Sequence, residues 1–410
     1  MPPRLIVADP GLRGLLGHHF AYSLAVAEAA QLTGIAPVVL ASAAFRETLP
    51  GGIACRPCFA AGYQSAGQGG SLRRAVFGLG SRLPAPLAQF VAPPFRAMRR
   101  AMRRSNPDGF AAELALALVG LGDTSADLVL LHSVSANNLA GLASALRPDS
   151  LGVLAVVLRR TPDDMDRDDA GPQPTAAILS ELRAVLGVKL RLYADSGALA
   201  RMWSRATAQA VREAPLPIVA PPVRDDTPSA PPHLVFAGGA RAEKGYGLLP
   251  DLVRSMGSTA RFTIQSGPVG AGDDPIVQQA HRQLRAAAGS DLALVERSLS
   301  PDEYMALIQS ADLLLLPYRA HTYGPRSSGI LAEARAMGVP AVVPAGCWME
   351  DEVGPEPRLA FASDGAFAER VRWAVAHLSD LLPAYAASAP QWRQAHSPAA
   401  LLARLLSPTS

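Results

Sequence analysis

Arg241 and Lys244 stand three residues apart in the stretch FAGGARAEKGYGLLPDLV, residues 236–253, just after an apolar run that ends in Gly238 and Gly239. Paired glycines let a backbone approach a ligand closely, and two cations ahead of a helical pattern favour an anion at the helix N-terminus. Phosphate fits that combination, with Gly245 expected to open the helix. The stretch matches neither G-x-x-x-x-G-K-[ST] nor G-x-G-x-x-G, so both common nucleotide-binding glycine loops are excluded. The same pattern also fits a surface loop with solvated Arg and Lys.

A second cluster lies in LLLLPYRAHTYGPRSSGILAEARAMGVPAVVP, residues 313–344. An apolar strand ends at Pro317, a loop carries Tyr318, Tyr323 and Arg326, and Ser327, Ser328 and Gly329 open a helix that holds Glu333. Serines at a helix start either cap it or bind phosphate. A carboxylate on an otherwise apolar, alanine-rich helix calls for a partner, and a ribose diol is one. Compensation of the helix dipole is the alternative role for Glu333.

These residues need elements to position them, and the chain supplies strand-type runs alternating with helix-period stretches. RLIVAD (4–9), then HHFAYSLAVAEAAQLTG ending at Gly34, then APVVLAS make one βαβ unit. DLVLLHS, GVLAVVL and VKLRLYA continue the pattern, which implies a parallel sheet covered on both faces. Seven prolines in 215–232 read as a linker. The alternation restarts at HLVFAGG and runs on to PAVVPAG, so a second, independent α/β sheet follows. At 410 residues two domains are expected: 1–214 with a basic insertion at 62–107, and 233–385, followed by a helical tail at 386–410.

The two clusters together resemble the retaining glycosyltransferases of family 4, which have the GT-B fold: two Rossmann-like α/β domains facing each other across a cleft. GGARAEKG is similar to the family's G-R-x-x-x-x-K-G segment, with a closer Arg-to-Lys spacing. SSGILAEARAMGVPAVVP is similar to the end of E-x7-E and the A-x-G-x-P-V-V that follows it; counting back eight from Glu333 gives Pro325 in place of the first glutamate. GHHFAYSLAVAEAA sits where the family has an N-terminal glycine-rich loop and first helix, and LYADSGALA resembles the segment before the interdomain linker.

The resemblance implies that Arg241 and Lys244 meet the diphosphate of a sugar nucleotide, beside Gly239, and that Glu333 meets its ribose. With the first glutamate replaced, Arg326, Ser327, Ser328 and Gly329 are the candidates for the sugar itself. It also places His132, after DLVLL, towards the donor sugar, with Gly17 and His18 in the glycine-rich loop on the same cleft. An isolated histidine at a strand end also fits a satisfied structural residue. The expected reaction is hexosyl transfer with departure of a nucleoside diphosphate, which serves as part of a co-substrate; no metal or other cofactor is expected. A catalytically inactive scaffold of the same fold is the alternative, given Pro325.

Residues 71–106 hold eight arginines and no acid among Phe, Leu, Val and Met, which suits a surface of anionic lipid. A mobile insertion with solvated arginines is the other reading. RNA is a third reading of that segment, but the net charge of +3 and the confinement of the basic run to one segment give no whole-chain nucleic-acid footprint, so no nucleic-acid partner is expected. PDDMDRDD, 162–169, contains two D-x-D triplets but reads as a solvated loop, and it fails as an EF-hand because Asp169 takes the glycine position. Cys55 and Cys58 lack the second ligand pair of a zinc site. No signal peptide or membrane-spanning run is expected, so a cytoplasmic protein, peripheral on the inner membrane face, acting on a glycan or lipid-linked acceptor, completes the expectation.

Overall fold

The computed structural model describes residues 3–60, 109–169 and 173–407. The basic insertion at 62–107, including the arginine-rich run 71–106, lies outside the described residues. The chain divides into two compact units, Met1–Ala214 with Arg404–Ser410, and Pro215–Ala403. Each has its own apolar core. In the first, Ile6, Leu40, Val129, Leu154, Leu192 and Trp203 belong to one buried cluster; in the second, Leu234, Phe236, Ile264, Leu314 and Val342 belong to another. Burying each such side chain contributes about 1.5–3 kcal/mol, which sets the strands' Leu, Ile and Val inward on both faces.

The described strands of the first unit are β1 (Arg4–Asp9), β2 (Ala36–Ser42), β3 (Ala54–Phe59), β4 (Leu128–Leu131), β5 (Val153–Leu158), β6 (Leu190–Ala194) and β7 (Val211–Glu213). They form a parallel sheet in the order β3-β2-β1-β4-β5-β6-β7. The second unit contributes β8 (His233–Phe236), β9 (Arg261–Gln265), β10 (Leu292–Val295), β11 (Leu313–Leu315), β12 (Ala341–Pro344) and β13 (Ala360–Phe361). Their order is β10-β9-β8-β11-β12-β13, again parallel. Strand order reverses between β1 and β4 in one sheet and between β8 and β11 in the other. Loops after those strands diverge to opposite faces and leave a crevice at the carboxyl ends, the place where open α/β sheets bind ligands.

Three local expectations change. The helix expected at Gly245 begins at Leu249 instead, because Gly245 adopts φ +68° and separates two 3-10 turns, Ala242–Lys244 and Tyr246–Leu248. The acidic run is a helix, Pro162–Asp169. Asp163 and Asp164 occupy its first turn, where negative charge is favoured, Thr161 Oγ1 accepts from the Asp164 N–H at 3.1 Å, and Asp166 accepts from Thr175 N–H and hydroxyl at 2.8 and 2.6 Å. Asp164 is also paired with Arg167.

The proline-rich stretch, third, is bound along the second unit. Leu216 is buried with Ala332, Ala336 and Trp392, Ile218 N–H donates to His396 O at 2.8 Å, and Arg224 pairs with Asp312 at 2.8 Å. The C-terminal region is two helices, Leu378–Ala395 and Pro398–Leu406, and the first contains both Pro383 and Pro390. Tertiary packing of Leu381, Leu382, Tyr385 and Trp392 carries that helix through prolines that local preference disfavours.

Candidate functional site

In the second unit the chain leaves β8 through Ala237 into Gly238 and Gly239, with φ of +100° and +80°. Side chains rarely adopt that backbone, so the glycines are required by the turn itself. Two bonds fix the turn against the end of β9: Gly238 N–H donates to Gln265 Oε1 at 2.8 Å, and Ala240 N–H donates to Ser266 O at 2.7 Å. A β-carbon on Gly238 would stand 2.6 Å from Lys244 Nζ and 2.7 Å from Ile330 Cδ1. Thus Lys244 and the helix Gly329–Ala336, far apart in sequence, both press on this turn.

Lys244 Nζ donates to Gly238 O at 2.5 Å and lies 5.5 Å from the centre of the Tyr318 ring, within cation–π range. Burial, joined by the Arg241 charge, pushes its pKa down to about 8. Arg241 itself is 66% exposed, with Glu243 Oε1 3.8 Å from its guanidinium. The loop after β11 is tied to this turn. Arg319 N–H donates to Glu243 O at 2.9 Å, its Nε donates to Ala242 O at 3.3 Å, and a β-carbon at Gly245 would fall 1.8 Å from Pro317 O.

On the helix Gly329–Ala336, Ser328 is the N-cap and its Oγ accepts from Leu331 N–H at 3.4 Å. The phosphate-or-cap alternative for this serine is therefore filled by the cap. Gly329 leaves open space where a β-carbon would be, and Arg326 N–H donates to Tyr323 O at 2.8 Å. Ser327 and Arg326 are half-buried at the mouth of the same loop. Glu333 accepts from the Tyr304 hydroxyl at 3.0 Å; although the residue keeps some exposed surface, burial of its carboxyl raises the pKa to about 7, against the opposing effect of that hydrogen bond. The helix is held from behind by Trp392, whose Nε1 donates to Ala332 O at 3.0 Å, and by Arg335, which lies over the Trp392 ring at 4.6 Å.

In the first unit the carboxyl ends of β1 and β4 bring together Asp9 and His132. Asp9 is buried and accepts from Gly11 N–H (2.9 Å) and the Ser23 hydroxyl (3.0 Å), with His19 Nδ1 at 2.7 Å. His132 is fully buried. Its Nε2 lies 2.8 Å from Ser23 Oγ and 3.2 Å from Asp9 Oδ2, its Nδ1 lies 3.0 Å from Ser133 Oγ, and its ring stacks on Tyr22 at 4.1 Å. Burial opposes ionisation of Asp9, but the two imidazoles and their hydrogen bonds outweigh it and hold the carboxyl well below its usual range. Burial likewise lowers His132, more than the neighbouring Asp9 raises it.

Around this network Gly17 starts the helix Gly17–Leu32 at φ +79°, and His18 follows it with its ring 4.2 Å from that of His19. His18 presents an exposed surface, yet protein crowding one side of the ring, then the charges of His19, Arg159 and His132, push its pKa down to about 3. Arg159, after β5, sits over Tyr22 at 5.8 Å and pairs with Asp195, after β6, at 3.1 Å.

Asp9, Ser23 and Tyr304 were not among the sites the sequence suggested, and Tyr318 was named there only as part of the loop after β11, with no role. For Asp9 a signal exists, an acid closing an otherwise apolar strand, since such a carboxylate must find donors. Cys55 and Cys58 both lie on β3, whose register shifts at Cys58, and burial pushes their thiols up to about 11 and 12. Among the described residues no group of three or more His, Cys, Asp or Glu side chains could hold a metal ion, and no helix is long and apolar enough to cross a membrane.

No protein-family model matches the chain, and no curated protein does. Solved structures do. Sucrose-phosphate synthase of Thermosynechococcus elongatus is similar with a TM-score of 0.63 and 12% identity, over 99% of this chain and 97% of the other. The UDP-forming α,α-trehalose-phosphate synthase of Burkholderia xenovorans matches with a TM-score of 0.60 and 12% identity, over 100% of both chains.

The chain has the GT-B fold.

A third GT-B structure, HepE of Anabaena, was solved with UDP and glucose and matches with a TM-score of 0.59 and 12% identity over 98% of each chain. At such identities the likeness concerns the GT-B architecture.

Proposed function

We propose that this GT-B chain is a glycosyltransferase that moves a hexosyl group from a nucleoside-diphosphate sugar to an acceptor hydroxyl and releases the nucleoside diphosphate. The observation that carries the reading is the Lys244 ammonium, half-buried against the Gly238–Gly239 turn at the switch point of a GT-B sheet. HepE, which shares this fold, was solved with UDP and with UDP-glucose, which supports a nucleotide-sugar donor.

As the bond between anomeric carbon and diphosphate oxygen breaks, negative charge grows on the leaving group. Fixed cations aimed there favour the transition state over the ground state. Lys244 and the neighbouring Arg241 supply that charge in this reading, so no metal ion is required. Glu333 accepts from the ribose hydroxyls, while Arg326, Ser327 and Gly329 line the sugar's side of the loop, Ser328 caps the helix beside them, and Gly239 gives backbone access. In the first unit Gly17 and His18 are the proposed binding groups, while His132, fully buried with both nitrogens engaged, takes the structural role of holding Ser23, Asp9 and Tyr22 in register. The family 4 resemblance supports retention of configuration, which NMR of the first-formed product tests.

Arg241→Ala and Lys244→Ala should each slow transfer by roughly ten- to a hundredfold, the worth of one charge-assisted hydrogen bond. Purified, folded variants with undiminished turnover would sink the diphosphate assignment. EDTA should leave wild-type activity unchanged. An inactive nucleotide-sugar-binding scaffold is the second reading, favoured by Pro325 in place of the first motif glutamate. Nucleotide binding without hydrolysis or transfer of any nucleotide sugar would select it. For the segment 71–106 we propose contact with an anionic membrane surface, and hence a glycan or lipid-linked acceptor of surface-polysaccharide or glycolipid assembly. Vesicle binding that needs anionic lipid and weakens with salt is the expected result.

A further inference from the structure

Tyr318 lies just beyond β11, on the loop that borders the second unit's switch-point crevice. Its side chain is 3% exposed, and its hydroxyl is buried with no hydrogen-bond partner among the described residues. A buried hydroxyl without a partner loses its bonds to water and gains nothing in return, so such groups are rare unless something else completes them. The surroundings indicate what completes this one. Lys244 Nζ lies 5.5 Å from the centre of the ring and the Tyr323 ring lies 4.6 Å away, while the charges of Glu333, Arg241 and Glu243 all reach the hydroxyl. Burial, then Tyr323 and Glu333, hold the phenol well above its usual pKa, so it keeps its proton and is a donor. The nearby Tyr304 hydroxyl is already used by Glu333 and cannot be the group that is waiting.

We infer that the Tyr318 hydroxyl is a binding group for the nucleotide donor, donating a hydrogen bond to an oxygen of the nucleoside diphosphate held between Lys244 and Glu333. The inference rests on the nucleotide-sugar reading above and adds to it a residue that the diphosphate and ribose assignments leave out. It explains why a phenol stands where phenylalanine would pack equally well in the free protein: the hydroxyl is a cost without ligand and a contact with it.

Two signs must therefore differ in Tyr318→Phe. Melting of the free variant should occur at the same temperature as wild type or higher, because an unsatisfied buried group has been removed. Its affinity for UDP, or for whichever of UDP, ADP and GDP stabilises the wild type, should fall by roughly ten- to a hundredfold. Uridine alone should lose less than UDP if the contact is to phosphate. A variant that binds the nucleotide as tightly as wild type overturns the inference and leaves the nucleotide reading standing. A variant that is destabilised without ligand also overturns it, since the hydroxyl would then have a partner within the protein. Wild-type protein stabilised by none of the three nucleotides overturns the nucleotide reading and the inference together.

Discussion

At the switch point of the first sheet Asp9, Ser23 and His132 satisfy one another, whereas at that of the second the Tyr318 hydroxyl is unpartnered and Lys244 Nζ is held by the Gly238 carbonyl. The first crevice has a closed polar floor: a carboxylate accepts from a backbone N–H and a hydroxyl beside two imidazoles, and each component would be costly to remove. In the second, a cation is desolvated against glycines and aromatic rings, and a phenol waits. Polar groups that are mutually satisfied rigidify a structure, while groups left short are where a ligand adds most. The same fold position is thus closed by its own polar groups in one unit and, in the proposed reading, left for a ligand to complete in the other.

The comparison can be broken most sharply at the backbone. Gly245→Ala should cost about 3 kcal/mol or more, because φ is +68° and the new methyl would collide with Pro317 O. A reduced denaturation midpoint of the second unit reads this out, and an unchanged midpoint would mean the two loops are not packed as described. Asp9→Asn comes next, at about 3 kcal/mol, since it removes the charge on which His19, Ser23 and the Gly11 N–H converge. The carboxyl's pKa is depressed by folding, so its contribution is complete above the unfolded carboxylate range and is lost as pH falls below it. Acid unfolding should be shallower in Asp9→Asn than in wild type.

Lys244→Met should behave in the opposite manner from Asp9→Asn: little change in melting of the free protein, but nucleotide affinity reduced by roughly ten- to a hundredfold in a titration. An equal loss of stability would remove the distinction between the two crevices. A pH series sharpens it further. Lys244 has a pKa near 8 in the free protein, so wild-type affinity for a nucleoside diphosphate should be full below pH 8 and decline as pH rises through it. Over the same rise this group adds stability to the free protein, because the unfolded chain retains a proton that the folded one has lost. Lys244→Met should show neither trend.

The smallest effect is expected at Glu333. Its pKa is raised to about 7, so the folded protein binds the extra proton between pH 4.5 and 7, and this group's contribution to stability falls as pH rises across that window. Glu333→Gln should flatten that slope in a melting series while weakening nucleotide binding.

Much of the fold was legible in the sequence for a simple reason. A strand buried on both faces must be a short apolar run, and a chain that reverses after it needs glycine or proline. RLIVAD, DLVLL and HLVF met that condition, and Gly238, Gly239 and Gly245 marked a turn where no other residue fits. Boundaries set by competing local forms were less legible. The helix at Leu249 starts four residues late because Gly245 can stop a helix as readily as flank one, and PDDMDRDD forms a helix because its acids suit a helix start as well as a loop. Proline inside the helix Leu378–Ala395 contradicts local preference and is overruled by packing of its apolar face.

By itself, the sequence determined two parallel α/β sheets, the glycine turn after β8, the two cations in it, and a lone carboxylate on an apolar helix. Those follow from local backbone chemistry and from the period of apolar residues, which neighbours along the chain suffice to express. Only the tertiary structure decided that Ile330 and Lys244 meet at Gly238, that Asp9 gathers His19 and Ser23 with His132, that Ser328 is spent as a cap, and that the Tyr318 hydroxyl is buried without a partner. Whether a polar atom is satisfied depends on groups that may be a hundred residues away, and no local pattern carries that information.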